Sequence, residues 1–109
     1  MTTTLTISDA LSDFIELSEA LDDAYWEAGQ IERKDSIYNI ITAVNGEIGE
    51  INKLSVQDHH YPYEPITQGI QDVKEKLNRL RKSLDELDMR TRTASLLEKV
   101  IPVTLSLLK

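Results

Sequence analysis

Cysteine is absent from this chain of 109 residues, which excludes a disulfide framework and any thiolate chemistry. The two histidines, His59 and His60, are adjacent, so neither a Ser-His-Asp triad nor a histidine-rich metal site is supported. No run approaches the roughly 20 apolar residues of a membrane span, and the first residues lack the basic head of a secretory signal. We therefore expect a soluble cytoplasmic protein with no cofactor.

Positive charge is also scarce, and its distribution is uneven. The formal net charge is -7, and residues 8–28 carry seven acidic residues with no lysine or arginine. Nucleic-acid binding depends on cations that neutralise phosphates, so direct binding to nucleic acid is not expected. A protein partner with a basic surface is the expected ligand.

The most regular pattern is an apolar seam in residues 66–88. Its residues alternate in steps of four and three, as in a coiled coil. They are Ile66, Ile70, Val73, Leu77, Leu80, Leu84 and Leu87. The pattern predicts a long third helix at the centre of the fold. It also suits a coiled-coil homodimer, so the seam is expected to close either within one chain or between two.

Helical periodicity recurs along the rest of the chain. It predicts helices at about 7–28, 36–54 and 93–108, with a loop at 55–65 that contains two prolines. Thr6 or Ser8 is expected to cap the first helix, with Asp9 completing a capping box with Thr6. The length fits one domain. We expect an all-α fold, a four-helix up-down bundle or paired helical hairpins.

Two β alternatives arise. Asn45-Gly46 is a strong hairpin-turn signal, but the helical period crosses it without a change of phase, so we favour a helix. Gly46 and Gly49 are then expected either to weaken or kink that helix or to allow close approach of a neighbour. The alternating residues at 4–7 and 103–107 leave a small pairing of the two termini open.

Acidic residues of the first helix form the main candidate binding site. They lie about 200° around the helix from its apolar seam, and we expect them to face solvent. They are Asp9, Asp13, Glu16, Asp23 and Glu27. Such a stripe is either a solvated face or an extended negative field that holds a basic partner.

Three aromatic residues are further candidates for partner binding. Tyr61 and Tyr63 flank Pro62 and are expected either to anchor a protein interface or to cap the end of the bundle. Trp26 falls outside the apolar seam of the first helix. It is expected either to pack on the next helix or to be exposed as an anchor.

One motif suggests an enzyme. Glu47-Ile-Gly-Glu50 places two carboxylates one helical turn apart, which suits a shared divalent cation. This stretch resembles the Glu-x-x-Glu half of the all-helical MazG-like nucleotide pyrophosphohydrolases. The resemblance implies Mg²⁺-dependent hydrolysis of nucleoside triphosphates. Asp72-Val-Lys-Glu75, in inverted order, would be the second half of the metal site, while Asp85-Glu86-Leu87-Asp88 lies too far along the chain.

Three interpretations of function follow. We favour a small, acidic, non-catalytic protein-binding module that regulates or inhibits a larger basic or nucleic-acid-handling protein, as inhibitors encoded by phages and mobile elements do. A MazG-like pyrophosphohydrolase is the second interpretation. A structural assembly subunit is the third.

Overall fold

A computed structural model describes residues 5–84 and 90–108. Four α-helices occur there: α1 is Ile7–Glu27, α2 is Ile31–Asn52, α3 is Gln68–Lys82 and α4 is Thr91–Leu107. A short 3-10 helix, Val56–His60, lies between α2 and α3. This part of the chain contains no β-strand, only one isolated bridge between Thr6 and Pro62. The predicted all-α class is confirmed.

Each helix packs against two others. α1 contacts α2 and α4, and α3 contacts the same two helices from the other side. Apolar side chains from all four helices are fully buried between them, as in a helical bundle. The largest are Phe14, Leu17, Leu21, Ile37, Ile40, Ile51, Ile70, Leu77, Leu97 and Ile101. The core therefore follows the helical periodicity of the sequence.

α1 begins as its capping signals predict. The Asp9 amide donates to Thr6 Oγ1 at 3.1 Å, and the Thr6 amide donates to Asp9 Oδ2 at 3.0 Å. This reciprocal pair satisfies amides that no helical carbonyl reaches. The capping box is confirmed, and α1 ends one residue before the predicted boundary.

α2 begins earlier than predicted. The predicted start is residue 36, but the helix begins at Ile31, with Gln30 as its N-cap. The residues of this first turn point largely to solvent and show no apolar periodicity. The sequence pattern therefore cannot distinguish a helix from a loop here. Lys34 Nζ donates to the Tyr25 carbonyl at 2.9 Å, joining the first turn of α2 to the end of α1.

The Asn45-Gly46 pair lies inside α2, so the helical prediction is confirmed and the hairpin is wrong. The Ser18 hydroxyl donates to Asn45 Oδ1 at 2.9 Å, which links α1 to the middle of α2. A methyl group added at Gly46 or Gly49 would meet nothing within 4 Å. Neither glycine therefore serves close packing against a neighbouring helix.

Within the described residues, the third helix is shorter than predicted. α3 spans 15 residues and is the shortest of the four described α-helices. It starts after Ile66 because the Thr67 hydroxyl accepts from the Ile70 amide at 3.1 Å and caps the first turn. It ends at Lys82, where the Ser83 amide donates to the carbonyls of Arg79 and Leu80. The predicted boundary at 88, together with Leu87, lies outside the described residues.

The apolar seam of α3 is covered within one chain. Its members from Ile70 to Leu84 are buried between α2 and α4, whereas Ile66 is half-exposed outside the helix. α4 then begins two residues before its predicted start. Pro102 lies within α4, which continues to Leu107. Residues 103–107 are therefore helical, and the suggested pairing of the termini is wrong.

The segment before α1 pairs with the loop before α3 instead. The Ile7 amide donates to the Tyr61 carbonyl at 2.9 Å, and the Tyr63 amide donates to the Leu5 carbonyl at 3.0 Å. These antiparallel contacts surround the bridge between Thr6 and Pro62. They hold the loop against the start of α1.

Candidate partner-binding surface

α1 presents most of its carboxylates to solvent. We call these five exposed residues the acidic face: Asp9, Glu16, Glu19, Asp22 and Asp23. Asp9 and Asp23 are 14 positions apart, or roughly 21 Å at 1.5 Å per residue. α1 carries no lysine or arginine. Across the groove to α4, Lys99 Nζ lies 4.0 Å from Glu16 Oε1, with both side chains largely in solvent. Such a contact is weak and screened by salt.

Glu27, which is predicted to face solvent, is only partly exposed. Its carboxylate accepts a 2.6 Å hydrogen bond from the Arg90 amide and a 2.8 Å bond from the Thr93 hydroxyl. It therefore sits at the positive N-terminal end of α4. The Arg90 amide bond, more than the Thr93 bond and the nearby Arg90 charge, lowers the pKa of Glu27 below 4.5 despite opposing desolvation. Glu27 joins α1 to α4.

Asp13 is the second predicted solvent-facing acid that the structure places elsewhere. Its side chain is half-buried against α4 and accepts a 2.6 Å hydrogen bond from the Thr104 hydroxyl. Burial raises the pKa of Asp13 to about 6, although the Thr104 bond lowers it; the Glu16 charge adds to the increase. The prediction failed because α1 buries a wide arc against two helices, and the α4 side of that arc reaches the acidic stripe.

Trp26 is exposed, which decides between the two predicted placements. It is 73% accessible and stands edge-on to Tyr25, with ring centroids 5.3 Å apart. Lys34 Nζ lies 4.7 Å from the Tyr25 centroid and 5.6 Å from the Trp26 centroid. Both distances lie within the range of a cation–π interaction. The rings at the end of α1 thus already hold one ammonium group.

Two exposed residues of α2 extend this aromatic group, and the sequence analysis missed both. Ile31 and Tyr38 are 74% and 58% accessible, and the Tyr38 ring centroid lies 6.3 Å from that of Tyr25. Ile31, Lys34 and Tyr38 are spaced three and four residues apart and share one helix face. Recognising 30–34 as helix would have placed them together.

The two predicted tyrosine anchors have different environments. Tyr61 is half-exposed and stacks on His60, with ring centroids 4.6 Å apart. Tyr63 is buried and packs edge-on against Phe14 in the core, so its prediction as an exposed anchor is wrong. Its alternative placement, covering the end of the bundle, describes it better.

The Tyr63 hydroxyl points at Glu47, which is fully buried. Glu47 Oε2 accepts from the Tyr63 hydroxyl at 2.5 Å and from the Ile66 amide at 2.8 Å, and Oε1 accepts from the Thr67 amide at 2.9 Å. Burial, followed by the hydrogen bond and charge of Glu47, raises the pKa of the Tyr63 hydroxyl well above its usual range. Tyr63 is therefore a neutral donor. The signal that could have identified Glu47 is its position: it falls in the apolar phase between Val44 and Ile51.

The four carboxylates of the metal-site interpretation are engaged separately. Glu47 is satisfied by three donors, Glu50 pairs with Lys53 at 2.6 Å, Asp72 accepts from Gln68 at 3.0 Å and Glu75 pairs with Arg79 at 2.7 Å. Across residues 5–84 and 90–108, no group of three or more acidic or histidine side chains is placed to hold a metal ion. Asp72 and Glu75, the carboxylates of the proposed second half, are solvent-exposed on α3.

None of the helices in the described ranges combines the length and apolar character needed to cross a membrane. Comparisons with family models, with curated proteins and with solved structures found no match for this chain. The acidic face and the aromatic residues beside it together form the candidate binding surface.

Proposed function

We propose that this chain is a small, acidic, non-catalytic protein-binding module that regulates or inhibits a larger protein with a basic surface. The single observation that supports the proposal is the acidic face, five exposed carboxylates on a helix with no lysine or arginine. Its charge is concentrated on one side of a rigid helix, so it can steer and orient a basic surface.

A nucleic-acid-handling protein is the partner class that we favour. Such proteins carry basic surfaces that bind rows of phosphates, and a helix with several exposed carboxylates along one side offers them a comparable negative surface. Occupying that surface would block the nucleic acid, as inhibitors encoded by phages and mobile elements do. The net charge of -7 favours association with such a protein over direct binding to nucleic acid.

Our proposal includes an up-down order of the four helices. The packing of each helix against its neighbours in sequence, and of α1 against α4, supports that order. Because the α3 seam is buried within one chain, a homodimer would have to use another face. Sedimentation equilibrium tests this point, and an assembly larger than a dimer would favour the structural-subunit interpretation.

The functional proposal is tested by capture from native lysate with two matched variants. The acidic-face variant carries Glu16→Gln, Glu19→Gln, Asp22→Asn and Asp23→Asn, and keeps Asp9 because it caps α1. The control variant carries four exposed substitutions outside α1: Asp58→Asn, Glu64→Gln, Asp72→Asn and Glu98→Gln. Each variant loses four negative charges, so net charge alone cannot distinguish them.

We expect a basic protein to be retained by the intact chain and by the control variant, to be lost from the acidic-face variant, and to elute as salt increases. Equal retention by both variants would overturn the role of the acidic face. Failure of the intact chain to retain any protein at low salt would also contradict the proposal.

A further inference from the structure

A row of exposed apolar and acidic side chains runs along α1 beside the aromatic residues. Ile15, Glu19, Asp22 and Trp26 follow one another at intervals of four, three and four residues, so they lie on one side of the helix. All four are exposed, including the large apolar residues at both ends. Ile15 and Trp26 are 11 positions apart, or roughly 16 Å along the helix.

The row continues across the junction between α1 and α2. Tyr25 lies between Trp26 and Tyr38, and Ile31 shares the α2 face that carries Tyr38. We call the six residues the aromatic–acidic ridge: Ile15, Glu19, Asp22, Trp26, Ile31 and Tyr38. Large side chains are exposed at several of its positions, which is typical of interface anchors rather than of a solvated helix face.

We propose that the aromatic–acidic ridge docks an amphipathic basic helix of the partner protein. This inference rests on the proposed function and names the structure that the partner presents. Apolar residues of the incoming helix would cover Trp26, Ile31 and Tyr38, and its arginines would pair with Glu19 and Asp22. Helices commonly bind through residues at these same intervals of three and four.

Charge decides between this partner and the other candidates. A second copy of the chain would bring the same carboxylates to the ridge, and like charges would repel. Lys34 Nζ lies 4.7 Å from the Tyr25 centroid, so the cation–π contact at this ring is made within the chain, and Glu19 and Asp22 are the groups left to pair with the partner's cations. Arginine is favoured over lysine because its planar guanidinium stacks on the exposed Trp26 ring while hydrogen-bonding to carboxylates.

Trp26 is the single tryptophan in the chain and reports directly on the ridge. The probe is a synthetic peptide of about 18 residues, made of leucine, arginine and alanine in amphipathic helical order. A peptide of the same composition in scrambled order is the matched control. Titration is followed by the Trp26 emission maximum and by its quenching with acrylamide.

Three variants separate the contributions of charge and apolar contact. One carries Glu19→Gln with Asp22→Asn, and a second carries Ile31→Ser with Tyr38→Ser. The third, Val56→Ser, removes an apolar side chain that is 82% exposed on the 3-10 helix and serves as the control. All substituted residues are exposed, and circular dichroism checks that each variant remains helical.

We expect the amphipathic peptide to shift Trp26 emission to the blue and to protect it from acrylamide. Binding should weaken about tenfold or more in each ridge variant and stay unchanged in Val56→Ser. Equal binding of the scrambled peptide would overturn the inference. Peptide binding that depends on Glu19 and Asp22 but leaves Trp26 unprotected would also overturn it, while the proposed function would stand. Absence of binding would overturn the inference. The proposed function would then be tested separately, by the capture from native lysate.

Discussion

The Tyr63 hydroxyl donates a 2.5 Å hydrogen bond to the buried carboxylate of Glu47. The same carboxylate accepts the amides of Ile66 and Thr67, just before α3. One side chain of α2 therefore fixes the loop and the two residues that precede α3. Tyr63 continues this connection to Phe14 of α1. A buried charge with three hydrogen bonds is stable in this environment, whereas removing it leaves its donors unsatisfied.

Glu47→Ala is expected to lower the free energy of unfolding by about 3 to 5 kcal/mol, because two amides and one hydroxyl lose their acceptor. Tyr63→Phe removes one donor and should cost about 1.5 to 3 kcal/mol. Urea unfolding measures both. Glu50→Ala, which removes a partly exposed ion pair with Lys53, is the control and should cost less than about 1 kcal/mol. A Glu47→Ala protein as stable as the Glu50→Ala protein would refute this account of α3.

Asp13→Asn is expected to stabilise the protein at pH 8. The folded-state pKa of about 6 exceeds the ordinary 3.8, so folding takes up a proton between these values. The contribution of Asp13 to the free energy of unfolding is fully present below about pH 4 and is lost as the pH rises through 6. Asparagine cannot ionise and still accepts from Thr104. After allowance for solvent exposure, we expect a gain of about 1 to 2 kcal/mol at pH 8.

Thermal unfolding at pH 5 and pH 8 checks this prediction. The advantage of Asp13→Asn over the unaltered chain should be larger at pH 8, while the exposed control Asp23→Asn should show no such difference. Equal destabilisation by Asp13→Asn at both pH values would contradict the prediction. It would mean that the carboxylate stabilises the fold through its hydrogen bond to Thr104 and that its charge has no effect on stability.

Glu27→Gln is expected to destabilise the protein at neutral pH by about 0.5 to 1 kcal/mol, because the charge near the N-terminus of α4 is lost. The Arg90 amide bond is the main reason that the pKa of Glu27 lies below 4.5 in the fold. Its contribution is therefore present above pH 4.5 and disappears as the pH falls through the folded-state value. Urea titrations at pH 7 and pH 3 should show a smaller difference at pH 3 than at pH 7. A deficit of the same size at pH 3 would contradict the role of the charge.

Gly46→Ala and Gly49→Ala are each expected to raise the free energy of unfolding by about 0.5 to 1 kcal/mol, because alanine loses less backbone entropy in a helix. A Cβ at either position has no neighbour within 4 Å. Gly69→Ala is the comparison: its Cβ would lie 3.8 Å from that of Ala43, in ordinary contact. Chemical denaturation ranks the three. Destabilisation by the α2 substitutions would mean that these glycines have a packing role.

Periodicity predicted the helical class and most of the core because burial of one helix face leaves a repeat of three and four residues. It could not place the α2 start, since the first turn is solvated and Ile31 is exposed. It extended α3 too far at its start because the apolar phase includes Ile66, whereas the Thr67 cap decides the boundary. Capping chemistry and periodicity compete there, and the hydrogen bond at the cap determines the outcome.

Side-chain roles depended on which helices become neighbours. The sequence predicts that Asp13 and Glu27 face solvent because both lie opposite the apolar seam of α1 taken alone. In the fold, α4 packs against part of that side and binds both carboxylates. Glu47 and Tyr63 are 16 residues apart in sequence, and no local pattern joins them. The approach of Tyr38 to Tyr25 likewise depends on how α2 packs against α1.

The affinity of the captured partner for three forms of the chain tests the central claim most directly. Isothermal titration at salt concentrations of about 0.05 and 0.3 M would compare the intact chain, the acidic-face variant and the equally charged control variant. The account predicts binding at least about tenfold weaker for the acidic-face variant, a control within about twofold of the intact chain, and weaker binding at the higher salt. Equal affinities for the two variants, independent of salt, would contradict the claim that the acidic face binds the partner.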